Sequence, residues 1–429
     1  MLKLHGDASL EGDYAWIVLL VSEKRITKVE GEGVGVADLV DSISGLTLLE
    51  ASSVSGEGLA IEALHSALGS NVSANPEPNR VAVAMSGGVD SAIALQMMFD
   101  NGFDPVGVTL RLWIDPDASD TEKACCSPTS VREARALCHE KGIPHVTLDL
   151  REEFRSAVVD PFIEGYASGL TPNPCVRCNS LFRFSELDRF RQRIGANLLT
   201  TGHYAQLVER DGQILLARAL DKSKDQSYML AGLNPGALKN LCFPLGKTFK
   251  LENRERATGL GFAASGRPES QEACFLGGSD YREFLTRHGV RQSAGSIVDL
   301  EGKEIGRHEG AWRYTAGQRK GLGIGGNKGP LYVIATDVNT ATVRVGNRMA
   351  LECQRVRCKP GFLYTDDMRG EVKLRFQSSA VNTTIVREEN GFLLELDEPV
   401  ESVAPGQFAV IYVDDTVVGA GTIMDNCLT

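Results

Sequence analysis

Two groups of residues in this chain could carry group-transfer chemistry: a serine–glycine turn and a scattered set of cysteines. The turn runs Ser86-Gly87-Gly88-Val89-Asp90-Ser91, after an apolar alternating run from Val81 and before an apolar helical run. A glycine pair directly after a strand lets backbone N–H groups reach phosphate oxygens with no Cβ in the way. The helix that follows points its positive end at the same anion. Ser86 and Ser91 can add hydroxyl donors, and Asp90 could position Mg²⁺. A plain strand–turn–helix connection is the competing reading of any lone glycine-rich turn. No lysine follows in the order G-x-x-x-x-G-K-[ST], and no G-x-G-x-x-G occurs here. A Walker-type γ-phosphate site and a dinucleotide site are both disfavoured.

The ten cysteines are dispersed, with one adjacent pair, Cys125–Cys126, and one C-x-x-C, Cys175 and Cys178. In a long chain without a secretory signal, this favours reduced, catalytic or metal-binding thiols over a disulfide framework. The C-x-x-C lies in "GLTPNPCVRCNSLFRF", residues 169–184, where two prolines stiffen the approach. Half of a zinc site is the alternative, but no second pair lies at ribbon spacing. Cys274, in "ESQEACFLGG", is a third candidate, although a single cysteine is more often a buried apolar residue. Cys138, Cys242, Cys353, Cys358, Cys427 and the adjacent pair read as structural.

The elements that must position these groups fall into four stretches. Residues 1–72 alternate short strands with a helix near "GEGLAIEALHSALG", forming an N-terminal α+β domain, and "SNVSANPEPNR" reads as a linker. Over 80–215, strand-like runs ("VAVAM", "PVGVTLRLW", "HVTLDL", "NLLTTGHY") alternate with helical ones, the pattern of a parallel sheet covered by helices. Residues 216–294 read as a small, largely helical central domain. From 295 to 429, short strands with glycine turns predict a β-barrel or sandwich. A hydrophobic content of 42% with 24% charged residues is that of a soluble globular chain, and no apolar run approaches a membrane span. A cytoplasmic location is the default expectation. The net charge of −11 argues mildly against nucleic acid, although a local basic face can exist on an acidic protein.

"SGGVDS" resembles the pyrophosphate loop of the N-type ATP pyrophosphatases, which cleave ATP between the α- and β-phosphates. "AMSGGVDS", "CCSPTSVREAR", "TPNPCVRCN", "TGHYA", "DKSKDQSYML", "ESQEACF", "YTAGQRKGLGI" and "APGQFAV" occur in that order. Together they resemble the tRNA-specific 2-thiouridylases, over about residues 80–425. The resemblance implies a Rossmann-like adenylating domain, a small central domain and a C-terminal β-barrel that grips tRNA. It also implies ATP-dependent replacement of O2 of the wobble uridine by sulfur. By the same resemblance Ala84, Met85, Ser86, Gly87, Gly88, Val89, Asp90 and Ser91 hold ATP with Mg²⁺, and Leu110 and Gly202 bound the adenosine. Cys178 is the nucleophile, and Cys274 receives persulfide sulfur. Asn173, Pro174 and Cys175 hold the target base, while His203, Lys224, Asp225, Gln226 and Gln407 contact tRNA. Arg319 and Lys320 of "GQRKG" add basic material suited to a phosphate backbone.

One departure concerns Cys175, which stands where many members carry an Asp. Either another group moves the proton, or Cys175, Cys178 and Cys274 jointly ligate a [4Fe–4S] cluster. The sulfur donor would be a cysteine desulfurase, a sulfur relay protein or inorganic sulfide. The N-terminal eighty residues weakly resemble the U-type scaffold of iron–sulfur assembly but contain no cysteine. An unrelated α+β packing domain is the equal alternative. An iron–sulfur carrier with a vestigial nucleotide fold, or another adenylating synthetase, is the competing function. The intact turn opposes the first, and "TPNPCVRCN" opposes the second.

Overall fold

The computed structural model describes residues 1–10, 12–56, 58–120, 127–262, 273–291, 293–324, 329–365 and 368–425. Cys125, Cys126, Cys427 and residues 269–272, which begin the Cys274 motif, lie outside the described residues.

The N-terminal domain is an antiparallel meander of β1 (Leu2–Leu10), β2 (Asp13–Ser22) and β3 (Arg25–Gly33), followed by α1 (Val36–Ile43), α2 (Leu48–Ala51) and α3 (Leu59–Leu68). Its core alternates as a one-sided sheet should, with Ile17 and Leu19 fully buried against Ala63 and Leu64 of α3. Thr47 and Glu50 start α2 with a reciprocal cap, Glu50 N donating to Thr47 Oγ1 at 3.1 Å and Thr47 N to Glu50 Oε2 at 2.7 Å.

The nucleotide fold runs β4 (Glu77–Ala84), α4 (Val89–Asp100), β5 (Asp104–Arg111), α5 (Pro128–Glu140), β6 (His145–Asp149), α6 (Arg151–Phe154), α7 (Asp160–Ala167), α8 (Pro174–Arg177), α9 (Phe184–Arg193) and β7 (Ala196–Thr201). A hairpin follows, β8 (Gln206–Arg210) and β9 (Gln213–Ala217), then α10 (Ser227–Leu230), α11 (Pro235–Leu238), β10 (Leu241–Cys242), α12 (Lys250–Gly259) and α13 (Tyr281–Arg287). The parallel sheet has the order β10-β7-β4-β5-β6. Val81, Ala82 and Val83 are all 0% exposed, because helices cover both faces of a central parallel strand.

The strands from Gly295 onward form two sheets. The first takes β11 (Gly295–Val298), β12 (Glu304–His308), β13 (Tyr332–Asp337) and β14 (Thr342–Gly346) in the order β12-β11-β14-β13. The second contains β15 (Glu352–Leu363), β16 (Arg369–Lys373), β17 (Val381–Glu388), β18 (Gly391–Glu401), β19 (Phe408–Val413) and β20 (Thr416–Asp425). It runs β15-β18-β17-β16-β19-β20 and closes through β15–β20, a six-stranded antiparallel barrel filled by Val356, Ile385, Leu394, Ile411 and Val418. The β8–β9 hairpin straddles the division at 215 expected from sequence. Its β9 extends the barrel sheet, with Ala217 opposite Thr416. Among the described residues no helix is long and apolar enough to cross a membrane.

Candidate active site

The phosphate turn is built by strand, turn and two helix starts. Ala84 ends β4, and Met85 N donates to Val108 O at 2.8 Å, extending the sheet by one residue. Gly87 then turns with φ +71, and a Cβ there would lie 2.5 Å from Ser130 O. Backbone on one side and a left-handed conformation on the other leave only glycine. Ser130 belongs to the first turn of α5, where Ser127 caps its N–H at 3.2 Å and Pro128 stands at the first position. The starts of α4 and α5 therefore both face the turn.

Ser91 is buried, and its Oγ donates to Gly88 O at 2.9 Å and accepts from Ser86 N at 3.2 Å. That hydroxyl shapes the turn, while Ser86 is exposed above it. Val89 packs with Tyr204 and Leu245, and Leu110 is buried in β5. Gly202 backs onto the start of α4, where a Cβ would meet the Asp90 carbonyl carbon at 2.6 Å.

Asp90 brings in a residue that sequence reading missed. Lys250 Nζ, from the first position of α12, lies 2.8 and 2.7 Å from its two carboxylate oxygens. Tyr204 Oη donates to Asp90 Oδ1 at 3.1 Å, and Asn253 Nδ2 donates to Tyr204 Oη at 2.9 Å. Burial, then the Asp90 charge, pushes the Tyr204 phenol well above its usual range, so it remains a donor. A cation at a helix start is disfavoured by less than about 1 kcal/mol. The attraction of the pair at about 3 Å is roughly 5 kcal/mol at an effective dielectric of about 20, before desolvation. The pair wins, and it ties α12 to α4.

The thiols lie in the same domain, on α8 and on the segment after α12. Asn173 Oδ1 accepts from Val176 N at 3.1 Å and caps α8, a contact typically worth about 1 kcal/mol. Cys178, 6% exposed, opens a π-helical stretch, Cys178–Arg183, a distortion often found at functional sites. Arg177 Nε donates to Ala157 O at 2.7 Å, fixing α8 to a second π-helical stretch, Arg155–Val159. Cys274 is half-buried and opens a short turn, Cys274–Leu276, held where Asp115 N donates to Phe275 O at 2.9 Å. Phe154 links the two segments, 5.5 Å from Phe182 and 6.2 Å from Phe275 between ring centroids. Cys178 and Cys274 thus border one hydrophobic core.

Cys175, Cys178 and Cys274 do not fit a cluster site. Among the described residues no group of three His, Cys, Asp or Glu side chains is arranged to hold a metal ion. C-x-x-C within a helical turn makes two thiols close in sequence, but the third segment is not folded into a ligand set with them.

The barrel braces the thiol loop. Gln407 Nε2 donates to Thr171 O at 2.8 Å, and Thr171 N donates to Pro405 O at 2.9 Å. Tyr228 Oη donates to Phe408 O at 2.7 Å nearby. Asp225 accepts from Ala219 N and Ser227 N, and Gln226 Oε1 accepts from Tyr204 N at 3.0 Å. Gln407, Asp225 and Gln226 are therefore used in holding the segments together, while Lys224 is half-buried beside them. His203 accepts or donates at Nδ1 with Thr201 Oγ1 at 2.8 Å, and it packs against Phe184 and Phe243. Burial and the nearby Arg183 charge bring its pKa down to about 3, so the ring is neutral at physiological pH. Arg319 and Lys320 are exposed on the turn preceding β13.

Comparison with known proteins matches three consecutive family models. Residues 79–278 match a tRNA methyl transferase HUP domain, 282–347 a tRNA methyl transferase PRC-barrel domain, and 354–423 an aminomethyltransferase β-barrel domain. The tRNA-specific 2-thiouridylase MnmA of Syntrophotalea carbinolica is 41% identical over 80% of this chain and 98% of its own length. The protein of the same name from Chloroflexus aurantiacus is 40% identical over 80% of this chain and 98% of its own. That of Sorangium cellulosum is 39% identical over 80% and 92%. The matched span takes in the phosphate turn, the thiol segments and the closed barrel, and the chain belongs to the tRNA-specific 2-thiouridylase family.

Proposed function

We propose that this chain is an ATP-dependent tRNA sulfurtransferase that thiolates C2 of the wobble uridine. The observation that carries this reading is that a strand–turn–helix phosphate turn and two cysteine segments share one domain, with Cys178 and Cys274 bordering a common core. Methyl transfer, which the names of the matched models suggest, would leave both the turn and the thiols without a role.

A pyrimidine C2 is a poor electrophile because its oxygen leaves badly. Attack of uridine O2 on the α-phosphorus of ATP forms O2–AMP and releases pyrophosphate. A persulfide on Cys274, loaded by a sulfur donor, then attacks C2 through its terminal sulfur, and AMP departs with the C2–O electron pair. Cys178 as thiolate attacks Cys274 Sγ of the resulting C2–S–S–Cys274 link. The sulfur stays on C2 as the thione, reduced, while Cys178 and Cys274 are oxidised to a disulfide. An external thiol reductant restores them. Asp90 suits a Mg²⁺ ion bound with ATP, and Ala84 to Ser91, Leu110 and Gly202 suit the nucleotide. Asn173, Pro174 and Cys175 would face the base. His203, Lys224, Asp225, Gln226, Arg319, Lys320 and Gln407 would line or support the tRNA path. The sulfur donor is a cysteine desulfurase, a relay protein or sulfide, and a cytoplasmic setting suits this substrate.

No step is routed through iron, since among the described residues no group of three His, Cys, Asp or Glu side chains is arranged to hold a metal ion. The test is nucleoside mass spectrometry on tRNA incubated with the protein, ATP and a persulfide donor. One AMP per 2-thiouridine is expected. Thiolation without ATP, or methylated uridine in its place, would overturn the reading.

A further inference from the structure

The stretch from Ala84 to Ser91 contains no lysine or arginine, although ATP brings about four negative charges to it. Backbone N–H groups and helix ends supply only partial positive charge. Lys250 lies 160 residues from Asp90, yet its ammonium meets both Asp90 oxygens at the first turn of α4. It is 9% exposed and rigidly mounted. Lys250 N donates to Asp221 Oδ2 at 3.1 Å, and Glu252 receives Phe249 N at the start of α12. Asn253 fixes the same turn through Thr248 and Tyr204.

We infer that Lys250 is the phosphate-binding lysine of this site, supplied across the fold by α12 and not by the turn itself. The inference rests on the adenylating function proposed above and names a further catalytic residue for it. During adenylation the α–β bond of ATP breaks, and the leaving pyrophosphate takes the electron pair. The Lys250 ammonium neutralises that charge, and Asp90 holds it at the turn's edge beforehand. A structural ion pair between α4 and α12 is the competing role, and it makes a different prediction. If the pair only joins two helices, Lys250 and Asp90 are equivalent. If Lys250 binds phosphate, they act in opposite directions on an anion.

The test is binding of inorganic pyrophosphate without Mg²⁺, by calorimetry, to the full chain and to K250M, K250R, D90N and the double variant K250M/D90N. Lys250→Met should weaken binding by about tenfold or more, the usual scale for a charge-assisted hydrogen bond. Lys250→Arg should bind within a few-fold of wild type, and Asp90→Asn should bind as tightly or more tightly. The double variant leaves no lone buried charge, so it should melt near wild type while binding pyrophosphate as poorly as Lys250→Met. Wild-type affinity in Lys250→Met, or equal losses in Lys250→Met and Asp90→Asn, overturns the inference. A wild-type chain that binds neither pyrophosphate nor Mg-ATP overturns the adenylating reading itself.

Discussion

Arg135 of α5 and Glu62 of α3 meet at 2.8 Å across the join between the N-terminal domain and the nucleotide fold. The Arg135 side chain is 8% exposed, and the first turn of its helix carries Ser130 against Gly87. Around this pair, His65 stacks on His139 at 5.6 Å, and Ser52 O accepts from both His139 Nε2 and His145 N. The edge strand β6 is thereby covered, which also guards it against pairing with another chain.

This histidine cluster makes the join sensitive to acid. Burial, reinforced by the Arg135 charge, holds His65 and His145 well below the usual imidazole range, and burial lowers His139 too. The folded His65 and His145 rings are neutral at pH 7, whereas in the unfolded chain they protonate near pH 6.5. Their contribution is complete above that pH and is lost as pH falls below it, at up to about 1.4 kcal/mol per unit for each fully buried ring. Melting should fall between pH 7.5 and 5.5. His65 Nε2 has no hydrogen-bond partner among the described residues. His65→Phe should therefore keep the stack and reduce the acid sensitivity. An identical pH dependence in the variant would remove His65 from the account.

Asp90→Ala should abolish thiolation and also destabilise the protein. The substitution removes the carboxylate facing the Lys250 ammonium, whose side chain is only 11% exposed, and removal of one partner from such a pair costs on the order of 3 kcal/mol. Calorimetric melting should show a clear drop for Asp90→Ala. Unchanged melting would mean that Lys250 finds water readily.

Cys178→Ser and Cys274→Ser should each stop thiolation while ATP-driven release of pyrophosphate persists. Cys175→Ser should retain activity with a persulfide donor, because no cluster-holding set is formed among the described residues. Iron analysis and an absorption spectrum of anaerobically purified protein check the same point. A stoichiometric brown chromophore that bleaches in Cys175→Ser would restore the cluster mechanism.

Binding of tRNA should weaken with salt despite the net charge of −11. Each neutralised phosphate adds about 0.7–0.9 to the slope of log K against log salt. Arg319→Ala and Lys320→Ala, both exposed, should each reduce that slope by about one. His203→Phe should leave the slope alone, since the ring carries no charge at neutral pH. Slopes indifferent to Arg319 and Lys320 would move the tRNA path elsewhere.

The parallel sheet and the phosphate turn were legible because their signals are local: alternation in "VAVAM", a glycine pair, an apolar helix. The β8–β9 hairpin carries a local signal, since Asp211-Gly212 is a favoured two-residue turn and both residues have positive φ, but its strands are only five residues each, too short for a clear alternation. Lys250 was not legible. Its role comes from α12 packing on α4, a long-range contact that no spacing announces. The cluster expectation came from a thiol, Cys175, at the place where many family members carry an Asp, which says nothing about where the Cys274 segment folds.

The partner of Ala217 in the barrel sheet is Thr416. At roughly 5–20 residues per second, a ribosome needs about 10–40 s to make the roughly two hundred residues between them. Through that interval Leu215 and Leu216 wait for Phe362 and Val417, which line the same small apolar cavity in the finished protein. The thiol loop waits as well, since Thr171 is held by Pro405 and Gln407. A chain that ends inside the barrel has the Ser86–Ser91 turn in full but lacks the Pro405 and Gln407 contacts to Thr171. The order of synthesis thus puts the turn ahead of the strands that brace the 171–178 loop.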